Sequence, residues 1–230
     1  MDHILLGLAW YVVFVVSVTF HEAAHGFAGF RFGDMTAKNA GLVTMDPVPH
    51  IVRSPFGMVI VPIASFLMAG WSIGWASTPY DPVWAHHNRR KSALVSLAGP
   101  AANLILIIAA ALVIRAGVSA GVFKMPEALG FSRIAVGTTE GFYNSVTIII
   151  SIFFSLNLLL LVFNLIPVPP LDGSNIIMLL LSDKNAERYR VVMSQPGTHI
   201  FGLIIAWHLL DSIFGPVLSL AIKLLYPASG

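Results

Sequence analysis

The 230-residue sequence contains no cysteine. Disulfides and thiolate metal ligands are therefore excluded, and any metal must be held by histidine, carboxylate or backbone oxygen. Charge is also scarce: Asp, Glu, Lys and Arg make up 10% of the residues, against about 25% in ordinary soluble chains. The 13 Lys and Arg against 11 Asp and Glu leave a formal charge of +2, too small a surplus to point to nucleic acid as a partner. Long polar stretches, internal repeats and low-complexity tracts are missing as well, so residues 1–230 read as a single membrane domain. What is abundant is apolar. Hydrophobic residues form 57% of the chain, the mean hydropathy is +0.82, and several runs approach the roughly 20 residues that cross a bilayer. This composition excludes a water-soluble fold and predicts an integral membrane protein whose surroundings are lipid. The N-terminal Met1-Asp2-His3 lacks the positive stretch of a secretory signal, so the first apolar run is read as a retained span.

The apolar segments are residues 4–30, 58–77, 92–115, 142–166, 174–181 and 199–225. Helix is the default for each long run, because lipid offers no partner to an exposed backbone group. The expected fold is an all-α polytopic membrane protein of roughly four to six transmembrane or re-entrant helices, with a short extended or hairpin segment after the first span. Two places resist regular helix. Segment 58–77 holds Pro62, Gly70 and Gly74 and is followed by Pro79, which suits a broken or re-entrant element. Residues 166–173, Ile-Pro-Val-Pro-Pro-Leu-Asp-Gly, must unwind, because each proline removes a donor and restricts the residue before it. Irregular backbone at membrane depth belongs where it is covered by protein or lines a wet cavity, so this break is a candidate site.

The strongest chemical signal is His21-Glu22-Ala23-Ala24-His25 at the end of the first apolar run. On a helix, positions i and i+4 share a face, so both imidazoles can bind one zinc ion while Glu22 reaches the adjacent water. Zinc lowers the pKa of water to about 7, and a nearby carboxylate can take the proton. Three ionisable groups within five residues of an apolar span are costly and rarely idle. A catalytic zinc usually takes three protein ligands. The candidates for the third are Asp172, Glu140, His208 and Asp211, and Asp172 alone lies in unwound, proline-rich chain. His208 and Asp211, spaced i, i+3, are expected to pair with each other.

These residues resemble the site-2 proteases, a family of intramembrane zinc metalloproteases. The likeness continues through Gly33-Asp34, Gly74-Trp75-Ala76, Ala98-Gly99-Pro100-Ala101-Ala102-Asn103 and Asn164-Leu165-Ile166-Pro167-Val168-Pro169-Pro170-Leu171-Asp172-Gly173, in the family's order over about residues 18–181. It implies that His21, His25 and Asp172 bind one Zn2+, that Glu22 is the general base, and that the substrate is a transmembrane helix of another protein. Asn103 and Asn164 match asparagines that the family associates with the substrate or active-site region. There is no room for a PDZ-like or nucleotide-binding accessory domain, so a separate recognition or regulatory protein is a further expected partner. His50, in a segment that also resembles the family, reads as a solvated interfacial histidine.

Topology adds an independent expectation. His21 follows 17 apolar residues, about 26 Å of helix at 1.5 Å per residue, which sets the site beyond the membrane centre. If segments 4–30, 58–77, 92–115 and 142–166 all spanned, Asp172 would end on the wrong face, so 58–77 is the segment expected to re-enter. Nine Lys and Arg then fall on the active-site face and four on the other, which predicts a site toward the cytoplasm and an N-terminus outside; the plasma membrane is the expected location. Two other classes compete. A small transporter or an inactive metal-binding membrane protein would also show broken helices, and a protease acting on prenylated proteins would need a later glutamate, for which Glu127 and Glu140 are poorly placed.

Overall fold

A computed structural model describes residues 3–139 and 141–227. The chain runs through α1 (His3–Phe32), the short α2 (Thr36–Asn39) and α3 (Pro47–Arg53), then a π-helical turn, Phe56–Ile60, leading into α4 (Val61–Ala69). After α5 (Pro82–His87) come α6 (Arg89–Ser119), a two-residue strand pair β1 (Phe123–Lys124) and β2 (Val136–Gly137), and α7 (Phe142–Asn164). The remainder holds α8 (Gly173–Ile176), a 3-10 turn, Ile177–Leu179, α9 (Asp183–Met193) and α10 (Thr198–Leu225). Among the described residues, α1, α6, α7 and α10 are long and apolar enough to cross a membrane. The protein is therefore an all-α polytopic membrane protein, as the hydropathy pattern predicts.

Cross-helix contacts fix the directions. His25 meets Val95 while His21 meets Asn103, so α1 and α6 are antiparallel. Ser17 meets Asn157, and Asp172, beyond the end of α7, meets both histidines, so α1 and α7 run the same way. Gly202 lies hard against the Pro169 carbonyl, and Arg115 on α6 donates to Leu224 O at the end of α10; α10 thus parallels α6. The end of α1, the start of α6, the end of α7 and the start of α10 share one face, and the site sits there.

This parity requires that the chain between α1 and α6 returns to the face it left, and it does. The pair Pro47–Arg53 and Phe56–Ala69 is bent by 113°. The helix reaches the N-terminal end of α1, where Phe66 packs over Gly7. Gly70, in the left-handed region at φ 79°, ends the helix, and residues 72–81 return without regular structure. Their way back is marked by Ile73 N–H on Ser65 Oγ (3.0 Å), Trp75 N–H on Gly57 O (3.1 Å) and Arg53 Nε–H on Ser77 O (2.9 Å). Arg53 and Ser77, the two ends of the excursion, touch. The non-helical chain after the first span thus lies at 72–81, whereas 36–46, which follows the first span directly, is a helical turn followed by tight turns and not an extended or hairpin segment.

Small residues let the helices approach closely, as in other membrane bundles. Buried Ser17, Asn103 and Asn157 join α1, α6 and α7. On the far face the connection between α6 and α7 folds back onto the bundle: Ser151 Oγ accepts from Ile134 N–H (3.0 Å) and Ala135 N–H (3.1 Å), and the Phe131 ring stacks between Trp71 and Phe214, 5.7 Å from each.

Candidate metal centre

Helical spacing on α1 turns His21 and His25 to one side, toward the start of α6. His21 Nδ1 lies 2.7 Å from Asn103 Oδ1 and His25 Nδ1 lies 2.8 Å from Val95 O. Both partners are oxygens that accept, so each imidazole carries its proton on Nδ1 and presents the Nε2 lone pair. The two Nε2 atoms are 3.0 Å apart. Asp172 completes the group, with Oδ2 3.1 Å from His21 Nε2 and Oδ1 3.3 Å from His25 Nε2.

Local chain chemistry explains how Asp172 arrives. The prolines after Ile166 stop α7 from continuing, and a Cβ at Gly173 would lie 2.5 Å from Leu165 O. Only glycine there lets the turn fold back against the end of α7. Asp172 opens α8 without capping it by side chain, which leaves its carboxylate for the histidines.

Three acceptors with no donor among them repel unless a cation lies between. Asp172 Oδ2 is buried and has no hydrogen-bond donor, and the ligand atoms of His21, His25 and Asp172 all lie within 4.8 Å of one another. Gly99 supplies the remaining space: a Cβ there would lie 2.5 Å from His21 Nε2. Two imidazoles and a carboxylate around a cleared space fit zinc by donor set and geometry. Among the described residues this is the one such group.

The centre opens into a cavity of about 530 Å³, whose wall includes Glu22, Thr78, Asn164, Tyr189 and His199. Glu22 is 6% exposed, and its backbone carbonyl accepts from the Thr78 hydroxyl at 2.9 Å, which ties the returning chain to α1. Asp34 Oδ2 accepts from Asp81 N–H (3.0 Å) and Oδ1 from Thr36 N–H (2.9 Å), anchoring the other end of that chain. Asn164 donates to Leu160 O and lines the cavity. Asn103 does not. It is wholly buried behind His21, in contact with the histidine. Asn157, its neighbour, was not singled out from the sequence.

A profile of peptidase family M50 matches residues 9–205. The chain belongs to this family. It is accordingly a metallopeptidase of the site-2 protease type, as the motif order implied. Over 185 residues it is 36% identical to YwhC of Bacillus subtilis (strain 168), which bears the provisional name of zinc metalloprotease; the match covers 77% of this chain and 73% of that protein. Rip2 of Mycolicibacterium smegmatis and Rip2 of Mycobacterium tuberculosis (strain H37Rv), named in the same provisional way, are each 29% identical over 69% of this chain. The match spans about half of either Rip2, 52%. No solved structure matches. The relatives' names support zinc as the metal.

Other expected sites fall elsewhere. His208 and Asp211 are exposed on α10, and no ion pair joins them among the described residues; the i, i+3 spacing permits a contact that these rotamers do not make. His50 is buried, not solvated, with Nε2 3.1 Å from Thr44 O, because the Asp46 cap folds α3 back over that turn. Glu127 is exposed beyond the far end of α6, away from the histidines, and Glu140 lies outside the described residues.

Proposed function

We propose that this metallopeptidase hydrolyses peptide bonds within or near transmembrane helices of other membrane proteins, using one zinc ion per chain. The observation that carries the reading is the convergence of His21, His25 and Asp172 beside buried Glu22, at the head of a cavity sunk among membrane-crossing helices. His21 Nε2, His25 Nε2 and an Asp172 oxygen would hold the ion. Zinc so held supplies Lewis-acid polarisation of the scissile carbonyl and acidifies water. Glu22 takes the proton of the attacking water and returns it to the departing amine. The apolar walls limit water to what the cavity admits. A transmembrane helix hides its peptide bonds in its own hydrogen bonds, so local unwinding precedes cleavage, and Asn164 on the wall would hold a freed backbone group. A transporter or inert binding protein leaves the catalytic placement of Glu22 without use.

The same reading expects the protein in the plasma membrane, turns its site toward the cytoplasm on the nine-to-four distribution of Lys and Arg, and allows a separate protein to select substrates. A reporter at the N-terminus that proved cytoplasmic would overturn this orientation. The deciding experiment is zinc analysis of purified protein beside cleavage of a reporter transmembrane substrate. The parent is expected to hold about one zinc and to cleave. Glu22→Gln should keep the metal and lose about 10²–10⁴-fold in rate, and Asp172→Ala should lose metal and activity together. Cleavage by Glu22→Gln at the parent rate would end the general-base role.

A further inference from the structure

Behind the metal centre, three helices meet at a row of buried hydrogen bonds that the catalytic reading does not use. Asn157 on α7 donates from Nδ2 to Phe153 O (2.8 Å) and to Ser17 Oγ on α1 (2.9 Å). Its Oδ1 accepts from Asn103 Nδ2 on α6 at 2.9 Å, and Asn103 Oδ1 faces His21 Nδ1 at 2.7 Å. Ser17, Asn103 and Asn157 are each 0% exposed, so a lost partner leaves a polar group buried without its hydrogen bond.

The row has a direction. The two ends of an asparagine amide are alike in shape, and only the partners decide which is oxygen. Phe153 O is a backbone carbonyl and can only accept, so the Asn157 NH2 must face it. The Asn157 oxygen then faces Asn103, which must answer with its own NH2 and turn its oxygen to His21. That oxygen demands a proton on His21 Nδ1, and Nε2 is left as a lone pair facing Asp172 and His25. His25 needs no such relay, since Val95 O is itself a backbone carbonyl.

We propose that Asn157 is a positioning residue: through Asn103 it sets the tautomer and ring orientation of His21, so that the metal ligand is preformed in the folded bundle. The inference rests on the metal-centre reading and adds a residue that touches neither metal nor cavity. Outer partners of ligating histidines are worth 10–100-fold in metal affinity. Asn157 acts one residue further out.

The test is zinc affinity by chelator competition, measured on the full chain in detergent. Asn157→Leu removes both the NH2 that faces Phe153 and the oxygen that orients Asn103, and should weaken zinc about tenfold. The double variant Asn103→Asp with Asn157→Leu should bind within about threefold of the parent, because either carboxylate oxygen accepts from His21 Nδ1 and no orientation is needed. Affinity within twofold of the parent for Asn157→Leu, or no recovery in the double variant, overturns the proposal. Should Asn157→Leu not fold, nitrogen NMR of the unmutated, metal-stripped protein decides. His21, assigned against His21→Gln, is expected to carry its proton on Nδ1 near pH 8; a proton on Nε2 overturns the relay. A parent that binds no zinc would sink the metal-centre reading instead, and the tautomer measurement would still judge the relay.

Discussion

Gly99→Ala adds a single methyl group to α6 and should weaken zinc binding strongly. The new Cβ would lie 2.5 Å from His21 Nε2 and 2.6 Å from His21 Cε1, where ordinary contact begins near 3.4 Å. Either α1 and α6 must part by about 1 Å or His21 must swing off Asn103, and both take the Nε2 lone pair away from its partners. Outer groups that only orient a ligating histidine are worth about 10–100-fold in metal affinity, and displacing the ligand itself costs at least the upper end of that range. Local propensity works in the other direction, since alanine within a helix is favoured over glycine by about 0.5–1 kcal/mol. A clash is therefore the sole source of any harm. The assay is zinc Kd by chelator competition with thermal unfolding of the metal-free protein measured alongside. The expected result is about 100-fold weaker zinc with the metal-free fold retained. Zinc affinity equal to the parent's would refute the claim that Gly99 clears the space for the metal.

Two further outcomes follow from the chain around the site. A Cβ at Gly202 would run into the Pro169 carbonyl, so Gly202→Leu should push α10 off the loop that carries Asp172 and destabilise the protein by about 1–3 kcal/mol; an unchanged unfolding midpoint would show that α10 does not brace that loop. Burial pushes the Asp34 carboxyl up, but hydrogen bonds from the side chain and backbone of Thr36 and the backbone of Asp81 outweigh it and hold it below its ordinary 3.8. A carboxyl lowered on folding stabilises above its unfolded value and loses that contribution as pH falls through it. Stability should therefore drop below about pH 4, less steeply in Asp34→Asn, and identical acid profiles for the two proteins would remove Asp34 as the anchor of the 72–81 chain.

What the sequence made legible was local. His21, Glu22 and His25 share a helix turn, so their spacing alone states their geometry. Asp172 was legible because three prolines announce an unwound chain, and the re-entry of 58–77 because Asp172 and His21 had to meet on one face. The rest depended on neighbours far away in the chain. Asn157 sits inside an apolar run and looks like any asparagine that joins two helices; its meaning comes from Asn103 on one side and Phe153 O on the other. Asn103 itself was placed near the active site by motif, yet its role turns on which end of the amide meets His21. His50 was misjudged because its burial is produced by the cap and turn around it, which a pattern of polar and apolar residues does not register.

The two departures from helix have a common cause. In lipid, chain that leaves a helix must find partners within the protein, so it collects wherever side chains and covered carbonyls are available. The 72–81 chain finds Ser65, Gly57 and the Glu22 carbonyl, and the 166–172 chain finds the end of α7 and the Tyr189 hydroxyl. Both then become walls of one cavity, because the space between unwound segments is the space that helices cannot fill. Two of the three metal ligands stand at its head on α1, an unbroken helix of 30 residues, whose ladder needs no outside partner and holds His21 and His25 at fixed spacing. A rigid element thus carries the histidines while irregular chain brings the carboxylate and leaves the opening. That division lets a site that requires water exist inside a bundle built to exclude it.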